Sequence, residues 1–165
     1  MQVVQSDSTE LSKITGSEVP SRIQIDKLQT EMALLPIDTS FETEHYFSGG
    51  LYGRKITLPA GMLMIGKVHK TDHLFICAEG EMLVWTENGM RTIRAGDVVE
   101  SKAGTKRVGL ALKKTIGVAV LITDKTDLAE VEEELVEDDD TSPFGVGNEL
   151  KAWALALQTN KIKDN

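Results

Sequence analysis

His69 and His73 are separated by three residues in GKVHKTDHLFICAEGEMLVW (66–85), just ahead of an apolar run that reads as a buried strand. Two imidazoles so close together are a beginning of a metal centre, because a neutral ring nitrogen is a good ligand for a first-row divalent ion. A catalytic metal wants at least three protein donors and an open position. Only His45 is left among the histidines to supply the third. The plain alternative is that HKTD is a bend in which exposed polar residues need no special purpose, with Asp72 bracing the turn.

Other reactive constellations are absent. The chain has no G-x-S-x-G elbow, no phosphate-cradling P-loop, no dinucleotide fingerprint and no Cys-x-x-Cys pair. Its single cysteine, Cys77, lies inside LFICA, where a small buried hydrophobe is the reading rather than a reactive thiol. The formal charge is −8, and the segment EVEEELVEDDD (130–140) explains it with eight acids and no base. Outside that segment acids and bases balance, so no basic face exists for nucleic acid. The longest apolar stretch, Gly117 to Ile122, is far short of the roughly 20 residues a membrane span needs. MQVVQSDSTE has no basic leader or apolar h-region, so a cytoplasmic protein without a cleaved signal is expected.

The elements that must position these residues follow from periodicity. Residues 1–20 show no sustained period and are expected to be a flexible arm that orders only if something holds it. Residues 21–50 contain a helix with Ile25, Leu28, Met32 and Leu35 at helical spacing, Ser21 as cap and Pro36 as stop, followed by a lead-in. Residues 51–123 switch to eight short strands with turn signals every 6 to 12 residues, including Asn88-Gly89, read as a type I′ hairpin turn. An antiparallel sandwich or barrel is expected. MLMIGKV and EMLVWTE are apolar on both faces, so one face fills the barrel while helices or a second subunit cover the other. Residues 124–165 return to helix, first with Asp127 and Glu130 as a capping box and Leu128, Val131 and Leu135 on one side. A second stripe follows at Leu150, Trp153, Ala154 and Leu157.

The stretch from Leu51 to Thr123 resembles the cupins of the RmlC-like jelly-roll type. Their first motif is G, five residues, H, one, H, three or four, E, six, G; the second is G, five, P, one, G, two, H, three, N. Counting back from Gly80, His73 takes the glutamate position, His69 the second histidine and Lys67 the first. In the second motif Gly96 and Gly104 match, while Lys102 replaces the proline, Arg107 the histidine and Ala111 the asparagine. The region EHYFSGGLYGRKITLPAG, with VHKTDHL, SKAGTKRVG and the acidic helix, is also similar to small single-domain cupins of tailed bacteriophages.

The resemblance implies an antiparallel jelly-roll β-barrel with short flanking helices, a phage origin, and a ligand shell in which Lys67 and Arg107 face the cavity beside His69 and His73. Such cations favour an anionic sugar or carboxylate. The plain alternative for Arg107 is an ion pair with Glu79, Asp97 or Glu100 that holds a turn. His45, on the strand entering the barrel, is the third donor of the less favoured metal set His69, His73 and His45. The reading is then a non-enzymatic module with no catalytic residue and no cofactor. It forms homo-oligomers or joins a larger assembly, in the host cytoplasm or a virion, and binds neither nucleic acid nor membrane. The alternatives are a metal-dependent oxygenase or isomerase, and a metal-free anion binder.

Overall fold

Alternation along two strands explains the architecture. In MLMI the side chains of Met62 and Met64 point to one cluster and those of Leu63 and Ile65 to another, and EMLVW divides in the same way. A computed structural model describes residues 2–5 and 20–163, and shows ten strands in two five-stranded antiparallel sheets. The first sheet has the order β1 (Gln2–Gln5), β4 (Met62–Ile65), β9 (Val108–Ala111), β6 (Glu81–Thr86) and β7 (Gly89–Arg94). The second has the order β2 (Glu42–Ser48), β3 (Leu51–Leu58), β10 (Thr115–Ile122), β5 (His73–Glu79) and β8 (Val98–Ser101). This is an antiparallel jelly-roll barrel flanked by short helices, and β3 to β10 are the eight strands read from the sequence.

The inner faces of both sheets close on one core that includes Ile56, Leu58, Cys77, Met82, Val84, Ile93 and Val99. Phe144, from the chain after the acidic run, plugs this core and meets Phe41 edge-on at 5.4 Å. The outer face of the first sheet is covered by α1 (Arg22–Met32), whose Ile25 and Met32 pack on Leu63, Ile65, Trp85, Val108 and Leu110. Burying each of these side chains contributes about 1.5–3 kcal/mol. Ser21 and Gln24 form a reciprocal capping box at its start. The chain thus supplies its own cover for the two strands that are apolar on both faces.

A third cluster forms where α2 (Leu128–Leu135) lays Val131 and Leu135 on Tyr52, Ala119 and Leu121 of the second sheet. Asp127 caps α2 by accepting from the amides of Ala129 and Glu130. After Leu135 the chain pairs with the segment following β4: the Lys70 amide donates to Leu135 and the Glu137 amide to Val68, at 2.8 and 2.9 Å. Finally α3 (Ala152–Lys163) completes the fold, and among the described residues no helix is long and apolar enough to cross a membrane.

Five expectations need correction in detail. Segment 21–50 holds, besides its helix, the strand β2, in which half-buried Thr43, His45 and Phe47 alternate with exposed neighbours. The hairpin pairs Thr86 with Gly89, so its loop is Glu87-Asn88 rather than Asn88-Gly89. The Thr86 hydroxyl accepts from the Asn88 amide, and Asn88 does not take positive φ. In the last helix only Ala154 of the expected stripe is fully buried. Trp153 and Leu157 stay exposed because α3 touches the body through few groups, among them Gln158, which accepts from the Ile37 amide. Leu35 lies beyond the end of α1 and is exposed. Of the expected arm, residues 2–5 are held as β1 by pairing with β4, and residues 6–19 lie outside the described residues.

Candidate functional site

The strands bring their polar residues to one end of the barrel. His73 opens β5, Ser101 closes β8, Arg107 precedes β9, and Lys67 and His69 follow β4. Arg54 joins them from the inward face of β3, which it shares with Tyr52, Ile56 and Leu58. All six polar residues line a cavity of about 100 Å³, whose remaining wall includes Ile56, Leu58, Met82, Val84, Ile93 and Val99. The close approach of Phe75 to β10 helps keep the cavity small. A Cβ on Gly117 would lie 2.4 Å from the Phe75 ring, so only glycine lets that ring lie where it does.

Arg54 and His69 define the hydrogen-bonding state of the site. The Arg54 Nη2 group lies 3.1 Å from His69 Nε2, and a guanidinium only donates, so Nε2 accepts and the ring proton sits on Nδ1. That Nδ1–H is buried and has no partner, and the Ser101 hydroxyl, also buried and facing the cavity, has none either. The two imidazoles lie 4.3 Å apart between centroids. Burial first, and then the charges of Arg54 and Arg107, push the His69 pKa down to about 2. Burial likewise pushes His73 down to about 4, opposed by the Thr71 carbonyl. Both rings are neutral at physiological pH.

The cations divide into two groups. Lys67 is tied to the C-terminal region: its Nζ donates to Glu132 Oε2 at 2.8 Å and to the Gly145 carbonyl at 2.6 Å. Arg54 Nη1 lies 4.0 Å from the other oxygen of Glu132, a carboxylate that is 12% exposed. Arg107 differs. Burial depresses its pKa, and among the described residues it has no ion pair with Glu79, Asp97, Glu100 or any other acid. Asp72 does brace the loop, accepting from Lys102 and from the Ala103 amide.

A metal finds few donors here. His45 bonds Tyr52 through Nδ1 at 2.8 Å, and among the described residues no three His, Cys, Asp or Glu side chains are grouped to hold an ion. The Nε2 lone pair of His69 is engaged by Arg54, and three cationic side chains line the same cavity. A divalent cation would have to displace a guanidinium and bind among like charges, so these residues do not fit a resident metal.

A wider surface groove of about 750 Å³ runs between α1 and α2, but its charges are largely satisfied within the chain. Lys106, for example, pairs with Asp26 and Asp139 at 2.7 and 3.1 Å. The unpartnered donors are in the barrel.

Arg54, Ser101 and Glu132 are site residues that the sequence reading passed over. Arg54 and Ser101 were accessible through strand alternation, two residues from Ile56 and Val99 respectively. Glu132 stands four residues after Leu128 beside the apolar stripe of α2, a position hidden by its acidic neighbours.

No protein-family model matches the sequence, and no curated protein matches it. Solved structures are similar in part. KdgF from Halomonas sp. has a TM-score of 0.47 and 13% identity, over 53% of this chain and 84% of that one. A cupin-2 domain containing protein from Shewanella frigidimarina has a TM-score of 0.44 and 12% identity, over 58% and 91%. An RmlC-like cupin family protein with a double-stranded β-helix fold from Methanocaldococcus jannaschii has a TM-score of 0.44 and 18% identity, over 52% and 83%. Sequence resemblance and strand order together place the chain with the cupin-type jelly rolls in fold.

Proposed function

We propose that the protein is a non-enzymatic jelly-roll module that binds a small organic anion in its barrel without a metal. The observation that carries this reading is that two residues with a buried, unpartnered donor, His69 through Nδ1–H and Ser101 through its hydroxyl, line the same cavity as Arg107. Each unsatisfied donor costs about 1–3 kcal/mol, which an acceptor group on a ligand would recover. A carboxylate has the lone pairs to accept from all three. Titration of chelator-treated protein with short carboxylates should give saturable heat and a thermal shift, and a hundredfold excess over Kd corresponds to about 2.7 kcal/mol. Arg107→Gln is expected to weaken binding roughly 10- to 100-fold, the weight of one charged hydrogen bond. Absence of binding to every small anion, or binding that requires a stoichiometric metal, would sink the reading.

A second copy of the chain is the proposed partner, through the outer face of the second sheet. Leu51, Leu74, Val98 and Ile122 are exposed there, beside half-buried Ile76, Val118 and Val120, and among the described residues no helix covers them as α1 covers the other sheet. Such contiguous apolar area marks an interaction face. Light scattering at micromolar concentration should report a dimer or larger species, and Ile122→Lys should dissociate it; a wild-type monomer would refute the idea. On sequence resemblance alone, its setting is proposed to be that of a phage-encoded protein in the host cytoplasm.

A further inference from the structure

The cavity's charged groups all lie at one end of the barrel, and Glu132 engages two of them from outside the cavity lining. Of the three cations lining the cavity, Lys67 and Arg54 face the Glu132 carboxylate at 2.8 and 4.0 Å. Arg107 has no acidic partner among the described residues, and it lines the cavity with the unpartnered donors of His69 and Ser101. One ligand carboxylate therefore has a seat. A second carboxylate on the same molecule has none. Directed inward, it would meet the apolar side chains of Ile56, Leu58, Met82, Val84, Ile93 and Val99, where an unpaired anion is costly. Directed at Lys67 and Arg54, it would find both already held by Glu132, a carboxylate that stands behind them on the groove side rather than in the cavity lining and opposes a second anion there.

Resting on the anion-binding reading, we propose that Glu132 is a specificity-determining residue that restricts the site to short monocarboxylates with an apolar tail and excludes dicarboxylates of equal length. The cavity, about 100 Å³, is smaller than the apolar cavity of about 150 Å³ that admits benzene, so the tail is limited to about three carbons. The carboxylate lies at the Arg107 end and the tail points into the aliphatic core.

The test is calorimetric titration of the full chain with butyrate, succinate and butyramide. Butyrate is expected to bind at least about tenfold more tightly than succinate, a difference of about 1.4 kcal/mol, and neutral butyramide to bind weakly or not at all. In Glu132→Gln, succinate should gain about tenfold while butyrate changes by less than about threefold. Loss of one buried charge can compromise folding, so the double variant Lys67→Gln with Glu132→Gln, which leaves neither partner buried alone, is measured alongside and should lose the preference too. Succinate binding as tightly as butyrate in the wild type, or an unchanged ratio in the folded variants, overturns the assignment of Glu132 while leaving an anion site in place. Binding of neither acid removes the anion site and this inference together.

Discussion

Gly80→Ala is expected to destabilise the protein by about 2–5 kcal/mol, whereas Gly96→Ala, also at positive φ, is expected to cost only about 1–2 kcal/mol. Gly80 joins β5 to β6 at φ +87°, and a Cβ there would lie 2.1 Å from the Lys114 carbonyl oxygen and 2.8 Å from Thr115 Cα. Neither atom can move alone. Thr115 is 1% exposed, and its hydroxyl lies 3.2 and 2.9 Å from the carbonyls of Glu81 and Lys113. The Glu81 carbonyl also receives the Leu112 and Lys113 amides. Gly96 has φ +93° with no atom within 4 Å of its would-be Cβ, so it reports the conformational cost without the clash. A loss of about 3 kcal/mol corresponds to a fall in Tm of roughly 6–12 °C for a domain of this size. Chemical denaturation of both variants separates the two contributions, and equal losses would show that the close approach to Lys114 is unimportant.

The glycine illustrates what the sequence could disclose. Gly80 is the last residue of the first motif, and counting back from it put His73, His69 and Lys67 at the ligand positions that now line the cavity. Turn residues and the period of two delimited β3 to β10 because each strand buries at least one face, leaving its pattern in the apolar residues. β2 escaped because its inward residues, Thr43, His45 and Phe47, are only half-buried and just one of them is strongly apolar. Tertiary pairings left no comparable mark. Nothing in the run EVEEELVEDDD distinguishes Glu132 from Glu133, yet the first is half-buried against Lys67 and the second is exposed. Likewise, Lys67 was legible as a cation at a ligand position, but its engagement by a carboxylate 65 residues away depends on how α2 docks. The charge available to a ligand is a property of the assembled barrel end.

Stability is expected to fall steeply as pH drops from about 6.5 towards 4, with His69 responsible for the larger part. The ring is 6% exposed, and burial together with Arg54, His73, Arg107 and Lys67 holds its pKa at about 2 in the folded protein. In the unfolded chain it returns to about 6.5. Between these values the unfolded state binds the proton and the folded state does not, so stability rises with pH and is lost as pH falls through the window. By pH 4 the loss due to His69 alone amounts to about 3 kcal/mol. His73, lowered to about 4, acts in the same direction over the same interval, but its ring is part exposed and solvent screening reduces its share. Carboxylates act lower on the scale. Asp139 is held below the usual carboxylate range, against the effect of burial, by hydrogen bonds from Gln29, Thr141 and Lys106, so its contribution is present at neutral pH and fades only below about 4. Denaturation midpoints followed from pH 7 to 4 should therefore show proton uptake on unfolding that rises above one as the pH approaches 5. His69→Gln, whose side-chain oxygen can still accept from Arg54, should remove about one proton from that uptake. A pH profile that stays flat above 4.5, or one that His69→Gln does not alter, would mean that the imidazole titrates freely in the folded protein and that the barrel end is open to water.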